Sequence, residues 1–141
     1  MPFDLVGKSS FIAKLAGISA VSNTVMQRSA MKAGEFIRGE AIEAINSGGR
    51  TGSVYKRGSV THTASGKGEF PATDTGTLVQ NILVQPEGRV GATVGSRANA
   101  PHGYLLETRE SNARPWLAPT VDKNKDKVFD MFGVSIKGMF K

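Results

Sequence analysis

His62 and His102 are the only histidines in the chain, and they stand 40 positions apart. A nucleophilic triad could in principle be assembled from Asp74, His62 and one of many serines. Any chain of this composition offers that much, so His62 is read as a strand residue and His102 as a loop residue. Glu107 and Glu110 are the only carboxylates near Tyr104. Paired acid–base work needs surroundings that push two pKa values apart, and spacing alone supplies none, so a solvated face is expected. There is no cysteine, which removes disulfides, thiolate zinc sites and thiol nucleophiles. No Gly-x-x-x-x-Gly-Lys-Ser/Thr loop, dinucleotide fingerprint or Gly-x-Ser-x-Gly elbow occurs. The residues therefore point away from an enzyme, and neither a metal nor a cofactor is expected.

The most distinctive charge feature is a basic run. Residues 50–68 contain Arg50, Lys56, Arg57 and Lys67 and no acidic residue, so +4 of the net +6 sits there. Tyr55 and His62 are interleaved with it. A hairpin carrying this charge can touch a phosphate backbone without reading sequence, or meet an acidic patch on a neighbouring subunit. Arg50, Tyr55, Lys56, Arg57, His62 and Lys67 are therefore the candidate interface residues, and a neighbour is preferred over nucleic acid.

The elements that must position these residues follow from pattern. With 141 residues, the chain reads as a single domain with a protruding arm at 50–73. Phe3 to Val6 suits a short strand. The apolar stretch from Phe11 to Ile18 is interrupted by Lys14, and Asp4 precedes it, so it reads as an amphipathic helix of a cytosolic protein rather than as a signal peptide. Ser9 or Ser10 suits the start of that helix, Gly17 its end, and Ser19 or Ser22 the start of the next. In this second helix Val25, Met26, Ala30, Ala33, Ile37, Ala41 and Ala44 share a face, opposite Gln27, Arg28, Lys32, Glu35 and Glu43. Gly34 and Gly39 suit close approach of another backbone.

Ser53–Lys56 and Ser59–His62 read as strands around Arg57-Gly58. Ala64–Thr73 reads as a loop, and Asp74 as the cap of a short helix through Leu78 and Val79. Ile82–Val84 and Arg89–Gly95 form an antiparallel pair about a Pro86-Glu87-Gly88 turn. Ala100–Leu106 is ambiguous, and Glu107–Arg114 reads as a polar loop. Pro119 opens a last helix whose apolar face holds Val121, Val128, Phe132, Ile136 and Phe140. The sum is α+β: a small antiparallel sheet flanked by a long helix and a C-terminal helix, with an extended basic arm.

The order of several pieces adds a resemblance. These are Ser53–Gly58; the run from His62 through Pro71, Asp74, Thr75, Gly76 and Leu78 to Val79; Val94-Gly95-Ser96; Tyr104–Thr108 with Glu107; and Ala113–Pro119 with Arg114, Pro115 and Trp116. Together they resemble the neck or tail-completion proteins of long-tailed bacteriophages, over roughly residues 20–130. Gly103 before Tyr104, Leu105 after it, and the direct Glu107-Thr108 step depart from the family pattern. Trp116 replaces its usual phenylalanine.

The resemblance implies a virion protein made in the host cytoplasm and built into the head–tail junction. It implies a homo-oligomeric ring, a hexamer, joining head-closure or connector proteins to tail-tube or tail-terminator proteins. DNA would pass through its channel. A tail-terminator capping the tail tube and a basic nucleic-acid-binding module are the alternatives. The motif residues read as folding signals: Asp74 caps, Gly76 permits close packing, Leu78 anchors, Arg114 pairs with Glu107 or with a neighbour's carboxylate, and Pro115 aims Trp116 at the core.

Overall fold

The structure is a computed structural model that describes residues 8–140. The strand expected at Phe3–Val6 lies outside them. Helix α1 spans Lys8–Asn46 and runs without a break. The expected division at Gly17 does not occur, because Gly17 is not in the left-handed region a glycine C-cap uses. A lone interior glycine costs about 1 kcal/mol relative to alanine, and no proline adds to that cost. Strands β1 (Val54–Arg57) and β2 (Val60–Thr63) follow, then the four-residue helix α2 (Thr77–Gln80). Next come β3 (Ile82–Glu87), β4 (Gly91–Ser96), α3 (Pro101–Thr108) and α4 (Ala118–Gly138). The α+β class stands: a long helix in the N-terminal half, antiparallel strands, and a C-terminal helix.

The strands form two separate two-stranded sheets. β3 pairs with β4 from Ile82↔Ser96 to Glu87↔Gly91, so the strand passes through the expected turn at Pro86. Proline is tolerated there because both strands of a ribbon are edges. This ribbon lies on α1, and α4 packs on another side of the same helix. The β1–β2 hairpin stays apart because its strands carry no apolar face to bury.

The core lies where the C-terminal part of α1 meets α2, β3 and the segment before α4. Ala41, Ile45, Leu78, Ile82 and Trp116 are its centre. The middle of the predicted α1 stripe holds: Ala30, Ala33, Ile37 and Ala41 are buried and Ile45 joins them, while Val25, Met26 and Ala44 are half-buried. Gly34 is there for closeness, since a Cβ would stand 2.5 Å from Val84 Cγ1. The close neighbour is a side chain rather than a backbone, and Gly39 has open space around it. Gly103 is the more crowded case, because a Cβ would meet Leu78 Cδ1 and Ser96 Oγ at 2.7 Å and Ser96 Cβ at 2.8 Å together. That close approach settles the ambiguous segment as a helix seated on the core.

α4 departs from its predicted face. Val121 and Ile136 are exposed and Phe140 is 83% exposed, while Thr120 and Asn124 are buried. Burying these two costs little because each donates to the backbone carbonyl four residues back: Thr120 Oγ1 to Trp116, just before α4, and Asn124 Nδ2 to Thr120. The apolar stripe read from the sequence exists, but much of it faces outward. Phe129 and Val134 are 71% and 72% exposed. The chain's accessible surface is 9842 Å², against about 7,000 Å² for a compact monomer of this mass.

Candidate functional site

The basic hairpin is built from β-branched and aromatic residues around one glycine. Gly58 takes φ +61°, and the two-residue loop Gly58-Ser59 joins Arg57 to Val60. The turn sits one residue later than expected. Pairing places Tyr55, His62, Arg57 and Val60 on one face and Val54, Thr63, Lys56 and Thr61 on the other.

The first face closes on Asp74. Tyr55 Oη donates to Asp74 Oδ2 at 2.9 Å. Arg57 reaches the same oxygen at 2.9 Å, and His62 Nε2 lies 3.0 Å from Oδ1. The Tyr55 and His62 rings stack with centroids 6.0 Å apart. Asp74 therefore does not cap α2, and Gly76 holds that position with φ +75°. The cap reading failed because a carboxylate three residues before a helix looks the same in sequence whether it turns toward the helix or toward a distant hairpin. Gly76 serves its positive φ rather than close packing. Thr75 Oγ1 bonds the Thr77 hydroxyl at 2.7 Å and accepts from the Thr77 N–H at 3.4 Å.

The Asp74 carboxylate, through its hydrogen bond to the hydroxyl, raises the Tyr55 pKa above the ordinary 10.0. The bond needs the neutral phenol, so the anchor is whole below pH 10 and is lost as pH rises through the raised value. Asp74→Asn in a Tyr104→Phe background is expected to bring the single remaining tyrosine back toward its ordinary titration. Absorbance of the phenolate against pH measures this, and an unmoved midpoint refutes the anchor.

A second latch closes the base of the arm. Glu69 Oε2 accepts from the Gly66 N–H at 2.7 Å and the Thr51 N–H at 3.3 Å, and Oε1 accepts from Thr51 Oγ1 at 2.8 Å. These bonds, the Gly66 amide first, hold the Glu69 carboxyl below its ordinary pKa. Gly52 packs so closely that a Cβ would lie 2.5 Å from the Ser65 carbonyl oxygen. Buried Ser65 accepts from the Ala72 N–H at 3.2 Å. Glu69 and Gly52 were not among the sequence candidates. Their only signal is an acid closing an otherwise basic loop.

The six interface candidates thus divide. Tyr55, Arg57 and His62 come together on Asp74, and Arg57 is neutralised there. Arg50, Lys56 and Lys67 are exposed and form no ion pair among the described residues. Tyr55 donates to that carboxylate, and the Arg57 and His62 side chains lie within ion-pair distance of it, so Asp74 gathers this face of the hairpin and leaves Arg50, Lys56 and Lys67 outside the cluster. Among the described residues no group of three or more His, Asp or Glu side chains gathers as a metal ion would require. No helix among them is long and apolar enough to cross a membrane.

Comparison of the chain with family models, curated proteins and solved structures returns no match.

The remaining motif residues serve the fold. Pro71 and Leu78 are buried. Trp116 is 2% exposed and donates from Nε1 to the Gly103 carbonyl at 2.9 Å. Glu107 is no solvated acid. Its carboxylate accepts from the N–H groups of Trp116 (2.7 Å), Leu117 (3.0 Å) and Ala118 (2.8 Å), where α4 begins. It thereby stands in for the acidic first turn that α4 lacks. Arg114 does not pair with Glu107, whose oxygens are already engaged. The Arg114 side chain forms no ion pair among the described residues, and its Nε is buried without an acceptor. Gly95 has open space around it and Tyr104 is 68% exposed, so neither joins the site.

Proposed function

We propose that this chain is a structural virion protein of a bacteriophage head–tail junction. Its copies form a hexameric ring that joins or completes the tail and leaves a channel for DNA. The observation that carries the reading is the surface. The accessible area is well above that of a compact monomer of this mass, and large apolar side chains stand exposed on both long helices. Such a chain is shaped to be covered by neighbours. The ordered resemblance from Ser53 to Pro119 supplies the place, a neck or tail-completion protein. Its pieces fall on the joints that hold the fold: the Asp74 clamp, the Leu78 anchor, the Glu107 cap and the Trp116 core.

The arm is assigned to a neighbouring subunit. Asp74 neutralises Arg57, so the charge left to attract a phosphate backbone is only three residues strong, and those are spread over 18 positions of chain. Electron microscopy of virions with labelled protein tests the placement. The expected result is a ring at the head–tail junction. A monomer with strongly salt-dependent DNA affinity and no place in the particle refutes it. Deleting residues 53–67 is expected to leave a folded subunit by circular dichroism that no longer assembles. Normal particles from that deletion refute the arm's role.

A further inference from the structure

An apolar groove of about 590 Å³ opens between β4 and α4, with α1 as its floor. Ala30, Ala33, Gly34 and Ile37 form that floor, Ala92 and Val94 one wall, and Val128, Phe129 and Phe132 the other. We propose that the N-terminal half of α1, Lys8–Val21, from a second copy of this chain lies in this groove, so that copies join head to tail. This rests on the ring reading above and names the surfaces the ring uses.

The fit begins with shape. Every described side chain from Ser9 to Val21 is exposed. Ile12, Leu15 and Ile18 are each about half to two-thirds exposed, and at 100° per residue they span about 120° of the helix, the width of stripe a packed helix buries. Lys8–Val21 is about 21 Å long, and the α4 wall from Val121 to Phe132 runs about 17 Å. An amphipathic helix in an apolar groove is a common mode of association.

Charge gives the direction. From Lys8 to Gly34 the helix carries Lys8, Lys14, Arg28 and Lys32 and no acidic residue. On α4, Asp122, Asp126 and Asp130 recur at four-residue spacing on the solvent face; Asp122 and Asp126 fall next to Phe129 at the groove's outer edge, and Asp130 lies farther round the helix. They are exposed and form no ion pair among the described residues. The lysines between them are mostly turned away: Lys127 lies over the Phe36 ring at 5.6 Å, and Lys123 shares a hollow with Glu40 and Glu43. Lys125 and Glu87, both on the groove lining, offset each other. A symmetric pairing of two N-terminal halves would set basic segments against each other. The groove's outer edge sets them beside Asp122 and Asp126. A contact between unlike surfaces repeats from copy to copy, as a ring requires.

Size explains why one contact would not suffice. The exposed apolar stripe of Lys8–Val21 presents on the order of 400 Å², about half of what each partner contributes to a standard interface. Two copies alone would associate weakly, and closure of a ring adds the missing contacts.

Because the chain has no cysteine, introduced thiols report the contact cleanly. Ile12→Cys and Phe129→Cys variants, each folded by circular dichroism, are mixed at high concentration and oxidised. The expected product is a 12–129 disulfide between the two variants, and the double variant gives a ladder of multimers. Leu15→Asp added to the Ile12→Cys variant abolishes the link. Links of Ile12→Cys to itself, or none between 12 and 129, overturn the inference, and neither result touches the ring's place in the virion. A 12–129 ladder from a protein absent from the head–tail junction supports the contact and refutes the placement.

Discussion

Trp116→Ala is expected to cost about 3–5 kcal/mol of stability, the usual range for removing a buried tryptophan. A domain of this size has only about 5–15 kcal/mol in total, so the variant should be partly unfolded or close to it at growth temperature. Trp116 lies at the centre of a core whose other buried members are small or medium aliphatic residues: Ala41, Ile45, Leu78 and Ile82. Among the half-buried residues packed around them only Phe70 is aromatic, so little of the lost volume can be refilled without moving that ring. The indole N–H also holds Gly103, the point where α3 sits on Leu78 and Ser96. Trp116→Phe separates the two contributions. It keeps most of the ring volume and leaves the Gly103 carbonyl without its donor, for a loss of about 1–3 kcal/mol. Urea denaturation of the three proteins measures both, and a tryptophan-to-alanine loss under 1 kcal/mol contradicts the packing described.

Glu107→Ala is expected to cost about 2–4 kcal/mol, since charged acceptors contribute more than neutral ones and three backbone donors lose theirs together. The carboxylate ties the end of α3 to the start of α4. The largest effect should appear as faster amide exchange at Trp116, Leu117 and Ala118. Glu107→Gln keeps one acceptor oxygen and should fall between. One of the three amides belongs to Trp116, so Glu107→Ala combined with Trp116→Ala should lose less than the two single losses added. Strict additivity would show that the cap and the core act independently, contrary to the shared residue.

Much of the fold was legible because it is written in local periods. The apolar recurrence from Ala30 to Ala41 places α1 on the core, the alternation around Gly58 forms a hairpin, and Pro119 falls in the first turn of α4. The α4 face was misread for a physical reason. Val121, Ile136 and Phe140 follow the pattern of a buried stripe, yet this chain alone offers too little surface to bury them. The proposed head-to-tail contact would cover part of this stripe.

The amino-acid sequence by itself determined the α+β class, the concentration of positive charge on one hairpin, the buried tryptophan, and the lack of any thiol. These are properties of composition and short-range spacing. Only the tertiary structure decided what the carboxylates do. Asp74, read as a local cap, clamps a hairpin formed 11–20 residues before it. Glu107, read as a solvated acid, caps a helix that starts 11 residues later. Glu69, inside the 50–73 arm and given no role from the sequence, latches its base through Thr51 and Gly66. A charged side chain bonds to whatever donor the folded backbone brings within about 3 Å, and that proximity is set by the packing of distant segments rather than by neighbours in sequence.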